Sequence, residues 1–297
     1  MKIPKIIRKI GEVFMEKLIL LCGGVTIIFV ILIFVFLLRY SLPALRVVPL
    51  FQILVGKDWY PGDEAFGILA IIWGSLLTTV GAIIVAVPIG VAVAIYIGEV
   101  AHKRIRETLK PVVEILAAIP SVVIGFLGLV LLVPVIQNVL KIDTGMTALT
   151  GAIMLAFMAM PTIISISEDA LHAVPQQYRE ASLAMGATKW QTIWRVVVPA
   201  ARSGIVASVM LGVGRAIGET MTVLMVTGNS TAMPVWSHGL GFLQPMRTLT
   251  ATIAAEMGEA VDKSTHYYVL FVIGAVLFVI TFLVNFMADL ALHRTRR

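Results

Sequence analysis

The chain has 297 residues, of which 59% are hydrophobic and 13% charged, with a formal net charge of +6. A soluble domain carries about 25% charged residues, so this composition excludes a soluble globular protein and identifies an integral membrane protein. The single cysteine, Cys22, excludes a disulfide framework and a cysteine-based metal site, and in its apolar run it is an inert thiol.

Six stretches are long enough to cross a ~30 Å hydrocarbon core, which takes about 20 residues. The first is 18–38, behind the basic leader KIPKIIRKI. It is too long for a signal-peptide core and lacks a small-residue cleavage site, so it reads as a span. The second is 68–97, with Pro88 expected to kink it. The third is 112–133, opened by Pro111, a favoured first helical residue. The remaining three are 146–166, 205–228 and 267–288.

Lys and Arg sort to one side of these spans. The N-terminus, 98–111, 167–203 and the tail together hold sixteen; the opposite side holds six, namely Arg39, Arg46, Lys57, Lys141, Arg247 and Lys263. The positive-inside rule then places both termini in the cytoplasm. Topology explains the basic excess, and no nucleic-acid partner is implied. Within the cytoplasmic segments Lys110 and Glu114, four apart, are expected to pair. The longest exterior segment, 229–266, contains TLTATIAAEMGEA, which is expected to form a short helix at or partly in the membrane. Its Glu256 and Glu259 are candidates for contact with a soluble partner.

The cytoplasmic segment 167–203 is too polar to span. PQQYREASLAM is a run of helix formers behind a proline, and Gly186 permits the left-handed turn that stops it. Thr188 and Gln191 have capping-box spacing for a second helix, with Trp190 and Trp194 on one of its faces. Either an amphipathic hairpin lying on lipid headgroups or a docking element fits this pattern.

The segment resembles the EAA loop of ABC-importer permeases: Glu-Ala-Ala, three residues, Gly, nine residues, an aliphatic, one residue, an aliphatic, Pro. Glu180, Ala181, Ser182, Gly186, Val196, Val198 and Pro199 occupy these positions, with Ser182 a small-for-small departure. EILAAIPSVVIGFLGLVLLVP (114–134), GRAIGETMTVLMVTGN (214–229) and RTLTATIAAEMGEA (247–260) further resemble phosphate-importer permeases of the PstC type. The resemblance implies an all-α membrane protein with six transmembrane helices and the type I ABC-importer permease fold. It divides the chain into a leader, first span and exterior connection (1–60), a permease core (61–290) with a coupling loop at 168–200, and a basic tail (291–297). The implied partners are a second, PstA-type permease, two PstB-type ATPase subunits seated on the loop, and an exterior PstS-type phosphate-binding protein. Gly186 would also let the two loop helices approach closely.

Arg215 and Glu219 lie inside the fifth predicted span. A charge at mid-membrane costs ~2.5–3.5 kcal/mol on insertion scales, so the pair marks a site. On a continuous helix, i and i+4 share a face, and the two could simply neutralise each other. Gly212, Gly214 and Gly218 beside them let another helix approach. For an oxyanion, Arg215 supplies a planar fork of donors. Glu219 would hold Arg215 and accept the proton of hydrogenphosphate, which sulfate lacks. Thr220 and Thr222 would add hydroxyl donors, and Ser75, Thr78 and Thr79 in the second span would line the same path, although hydroxyls in spans often bond their own helix backbone.

No Gly-x-x-x-x-Gly-Lys-[Ser/Thr] occurs, so ATP hydrolysis would belong to other subunits. No cofactor motif and no catalytic constellation is present. His102, His172, His238, His266 and His293 lack metal-ligand spacing. The readings left open are a permease for molybdate or sulfate, a PstA-type half, and a self-sufficient secondary transporter with Glu219 as proton carrier. A secondary transporter of the last kind often shows two similar halves, and no internal repeat is evident.

Overall fold

The computed structural model describes residues 5–235 and 241–295; Lys2, His238, Arg296 and Arg297 lie outside the described residues. Five helical stretches are long and apolar enough to cross a membrane: Phe14–Val47, Leu69–Val100, Ser121–Leu140, Ala148–His172 and Thr265–Met287. The fifth expected span, 205–228, begins in a bent pair, Lys189–Ala200 and Arg202–Gly218, which meet at 68°.

α1 (Lys5–Val47) is apolar all round and exposed along its span, the pattern of a lipid-facing helix. After α2 (Leu50–Val55), the connection to the next span departs from an all-helical chain. Trp59–Tyr60 and Ala65–Phe66 form a two-residue antiparallel ladder, β1 and β2. α3 (Leu69–Ile95) passes through Pro88 and continues as a π turn to Val100.

The third span begins later than the sequence suggests. Pro111 lies inside α4 (Lys103–Ala118), and the chain breaks at Ile119–Pro120. Proline disfavours the helical conformation in the residue before it, and Ile119 is extended, with ψ 129°. The span proper is α5 (Ser121–Leu127), a π turn over Gly128–Leu132 and α6 (Val133–Leu140).

α7 (Ala148–His172) is the centre of the molecule, with 61% of its apolar window buried. Its most extensive packing is against α3, and it also holds α4 and α11 (Arg202–Gly218). Lipid tails are as apolar as leucine, so helices in a bilayer associate through close packing of small residues. α3 presents Ala82, Ala86 and Gly90 at four-residue spacing, and α7 presents Ala156 and Ala159 to the cluster that holds Ala82 and Ala86. A Cβ added at Gly90 would lie 2.9 Å from Ile163 Cγ2.

The loop forms the expected hairpin: α8 (Gln176–Ala184), then α9 (Lys189–Thr192) with the Thr188–Gln191 capping box present, a π turn over Ile193–Val197 and α10 (Val198–Ala200). Gly186 sits at φ +84°, as the turn requires, but an added Cβ there would meet nothing within 4 Å. Its role is therefore the left-handed turn, and the close helix approach expected there is not made.

After α12 (Met221–Val226), α13 (Leu249–Glu256) packs on α3, α12 and α14 (Thr265–Thr295), with α14 lying along α1. The entry to α13 rests on α3: an added Cβ at Gly74 would collide with the Arg247 carbonyl, and the Leu249 N–H donates to Ser75 Oγ at 2.8 Å. Gly74→Ala should displace this entry segment and destabilise the protein by about 1–3 kcal/mol, the usual cost of overpacking, read as a lowered unfolding midpoint in detergent. Gly214→Ala, where an added Cβ meets open space, should leave the midpoint unchanged or raise it. Equal midpoints for the two variants would contradict this packing.

Candidate functional site

Two interrupted helices meet at the centre. α11 ends at Gly218, Glu219 is extended at φ −70° and ψ 132°, and α12 restarts at Met221. The fifth span is thus broken where the sequence suggested a continuous helix. Beside it lies the Ile119–Pro120 break between α4 and α5. Backbone polar groups at membrane depth must find partners within the protein or a wet cavity, and side chains from neighbouring elements supply them here.

Arg215, in the last turn of α11, donates from Nη1 to Thr162 Oγ1 on α7 at 3.1 Å and from Nη2 to the Ala117 carbonyl at 3.4 Å. In an unbroken helix that carbonyl would accept from the Ser121 N–H; the break leaves it to the guanidinium. Glu219 does not pair with Arg215. The helix ends between them, and Glu219 Oε1 instead accepts from the Thr222 N–H at 3.2 Å, capping the first turn of α12. Among the described residues, Arg215 has no carboxylate partner.

The threonines knit the breaks together. Thr222 is fully buried, and its hydroxyl lies 3.0 Å from the Ser121 carbonyl, to which it donates. Thr220 donates to the Gly218 carbonyl at 3.3 Å, and Thr250, from α13, donates to the Glu219 carbonyl at 2.9 Å. Of the second-span hydroxyls, Ser75 donates to Ile71 and accepts from Leu249, which brings it to the foot of α13. Thr78 donates to the carbonyls of Gly74 and Ser75, and its methyl faces Gly151 on α7 with that of Thr227. Thr79 is buried one residue further on. Of the three glycines near Arg215, only Gly212 packs closely: an added Cβ would lie 2.6 Å from Ile163 Cγ1, whereas at Gly214 and Gly218 it meets open space.

Sequence reasoning missed Thr162, Thr250 and the carbonyls of Ala117 and Ser121. Two of these carried a signal, because Pro161–Thr162 and Pro120–Ser121 are mid-apolar prolines followed by a hydroxyl residue, the composition of a satisfied helix interruption.

Two acidic residues, Glu114 and Glu256, differ from expectation. Lys110 bonds across to α7, to Glu168 Oε2 at 2.7 Å and Asp169 Oδ1 at 2.8 Å, while Glu114 is exposed. Arg106 also reaches Glu168, which is 1% exposed. The carboxylates of Asp169 and then Glu168 raise the Lys110 pKa above its ordinary value, so this lysine stays charged at neutral pH. Glu256 is turned inward, receiving Trp59 Nε1 at 3.1 Å, Arg247 and His266 Nε2 at 2.8 Å, while Glu259 remains exposed.

The loop hairpin is closed by a hydrogen bond between Ser182 Oγ and Thr192 Oγ1 at 3.0 Å, the side chain that departs from the loop motif. Glu180, Ala181 and Pro199 are exposed, Val196 and Val198 half-buried, and Tyr178, Leu183, Met185 and Trp190 leave an apolar face open.

Residues 86–297 match the family model described as the binding-protein-dependent transport system inner membrane component. The chain is 41% identical over 234 residues to the probable ABC transporter permease protein YqgH of Bacillus subtilis, covering 78% of this chain and 74% of that one. It is 37% identical over 264 residues to the phosphate transport system permease protein PstC of Mesorhizobium japonicum, covering 82% and 79%. Among solved structures, a chain of the MetNI methionine ABC transporter in an inward-facing conformation superposes with a TM-score of 0.60 at 21% identity, covering 81% of this chain and 100% of that one. A chain of a bacterial ABC transporter involved in alginate import gives 0.61 at 14% identity, covering 98% and 99%. The fold is therefore that of ABC-importer permeases, and by the match over 86–297 the chain belongs to the binding-protein-dependent transport system inner membrane component family.

Proposed function

We propose that this chain is the PstC-type permease subunit of an ATP-driven importer of inorganic phosphate in a prokaryotic plasma membrane, with both termini cytoplasmic. Its partners are a PstA-type permease, two PstB-type ATPase subunits on the 168–200 loop, and a PstS-type binding protein outside. The relatives named for phosphate transport support the substrate, and one observation carries the site: Arg215 is a span guanidinium with no carboxylate partner among the described residues, held where two helix breaks meet.

Two of its five N–H donors are occupied by Thr162 and Ala117. The others are available to a tetrahedral oxyanion, whose charge would offset that of the arginine. Glu219 has acceptor capacity beyond its single bond to Thr222 and would take the proton of hydrogenphosphate. Thr220, half-exposed, would add a hydroxyl, whereas Thr222, Ser75 and Thr78 give theirs to backbone carbonyls and, with the buried Thr79, position the elements around the arginine instead of lining the path. Transport would proceed by alternating access, with the loop displaced as the ATPases close.

Arg215→Gln should assemble with its partners yet lose phosphate uptake by at least about 100-fold, the scale of one charge-assisted contact at ~3 kcal/mol. Arg215→Lys, which keeps the charge and loses the fork, should retain partial uptake. Near-normal uptake by an assembled Arg215→Gln complex would remove the arginine from the anion route.

The loop assignment predicts that Gly186→Val, strained at φ +84°, reduces copurification of the ATPase subunits, whereas Gly186→Asn, which tolerates a left-handed turn, does so much less. Indistinguishable ATPase recovery from the two variants would separate the turn from docking.

Topology is open to direct labelling. Single cysteines at Lys103 and Asp262, in a Cys22→Ser background, should react differently with an impermeant thiol reagent added outside: 262 labelled, 103 only after permeabilisation. Labelling at 103 in intact cells would overturn the orientation.

A further inference from the structure

Arg179 lies on α8, immediately before Glu180, and its guanidinium points out of the loop. Nη2 donates to Glu99 Oε1 at 2.5 Å and to the Leu171 carbonyl at 2.9 Å, Nε donates to Glu99 Oε2 at 3.3 Å, and Nη1 donates to the Val174 carbonyl at 2.6 Å. Glu99 belongs to the π turn that ends the second span, and Leu171 and Val174 lie at the end of α7 and just beyond it. One side chain thus joins three elements. It is largely withdrawn from solvent, with the arginine 15% and the glutamate 9% exposed.

The remaining attachment of the loop here is apolar: Ala94, Ile95, Leu171, Val174, Ile193 and Val197 cluster with Ala201. Apolar burial is non-directional, so such a contact resists separation more than it resists sliding or rotation. A carboxylate gripped by two guanidinium nitrogens fixes distance and orientation together. The neighbouring ion cluster stiffens the receiving end. A Cβ added at Gly98 would lie 3.8 Å from Glu168 Cγ, and Glu168 is itself held by Arg106 and Lys110 of α4. The cytoplasmic ends of α3, α4 and α7 are therefore tied to one another, and Arg179 ties α8 to them.

We infer that Arg179 is the positioning residue that transmits loop motion to the spans: with Glu99 and the carbonyls of Leu171 and Val174 it makes α8 and the ends of α3 and α7 move as one body. This rests on the reading of the loop as the ATPase contact and names the bond through which that contact acts. The test uses the full complex in proteoliposomes, measuring labelled phosphate uptake and ATP hydrolysis in the same preparation. R179Q should keep its ATPase subunits and its hydrolysis, while phosphate taken up per ATP falls about tenfold, within the usual range of coupling between sites. R179K, with the charge and without the fork, should fall between. E99Q, which leaves the guanidinium on its two carbonyls and weakens the tie to α3 alone, should lower the same ratio even where R179Q fails to assemble. An unchanged ratio in E99Q and in any assembled Arg179 variant overturns the inference. So does a parallel loss of uptake, hydrolysis and bound ATPase in both Q variants, which would make Arg179 a docking residue. If the unsubstituted complex carries no ATPase, the loop reading fails, and this inference falls with it.

Discussion

A guanidinium inside an apolar span needs partners, and a regular helix has none to offer, because its carbonyls are taken by its own N–H groups. Much of the centre of this protein follows from that constraint. The Ile119–Pro120 break releases the Ala117 carbonyl to Arg215, and Pro161 is followed by Thr162, which gives the second contact. The break after Gly218 is repaired in the same way, by Thr220 on the Gly218 carbonyl and Thr250 on that of Glu219. Irregular backbone at this depth survives only where side chains or a cavity satisfy it. Hydrogen bonds hold Arg215 in place without neutralising it, and this uncompensated positive charge is what the proposed anion route rests on.

Class, spans and loop were legible because each depends on contrast between neighbouring residues. Apolar runs against charged ends mark spans, and Thr188, Gln191 and Gly186 are capping and turn residues whose local geometry is nearly context-free. The site was legible in its residues but not in its geometry. The i, i+4 pairing of Arg215 with Glu219 presumes a continuous helix, and nothing in the side chain of Glu219 announces that the backbone there is extended. The third span was placed at the first proline, Pro111, because the apolar run starts there; the chain breaks at Pro120, where Ile119 is extended and the Ala117 carbonyl is claimed by a side chain.

Acidic residues misled for a related reason. Spacing along a helix made Glu114 the natural partner of Lys110, but Glu168 and Asp169 on α7 are reached instead. Glu256 looked like a surface group in an exterior segment. It is the anchor of that segment, receiving Trp59 from the β1 strand, Arg247 from the approach to α13 and His266 from α14. Pairings of this kind span up to 197 positions in the chain, and no local pattern reports them.

The attachments divide the molecule into two groups of elements. α11 is fastened to α7 by the Ser167–Ser208 hydrogen bond at 2.6 Å and by the close approach of Gly212 to Ile163, so Arg215 belongs with α7. Glu219, past the break, is bonded through its carbonyl to Thr250, so it belongs with α13 and, through Ser75 and Gly74, with the outer half of α3. The gap between Gly218 and Met221 is where these two groups of elements meet, and extended backbone there absorbs a change of angle that a helix would resist. At the end that carries the loop, ion pairs tie α3, α4, α7 and α8, and at the opposite end the Glu256 cluster ties α13, α14 and the β1 strand. With both ends bound and the polar centre interrupted, the compliant point of the fold lies at the two broken helices, beside the arginine proposed to meet the anion.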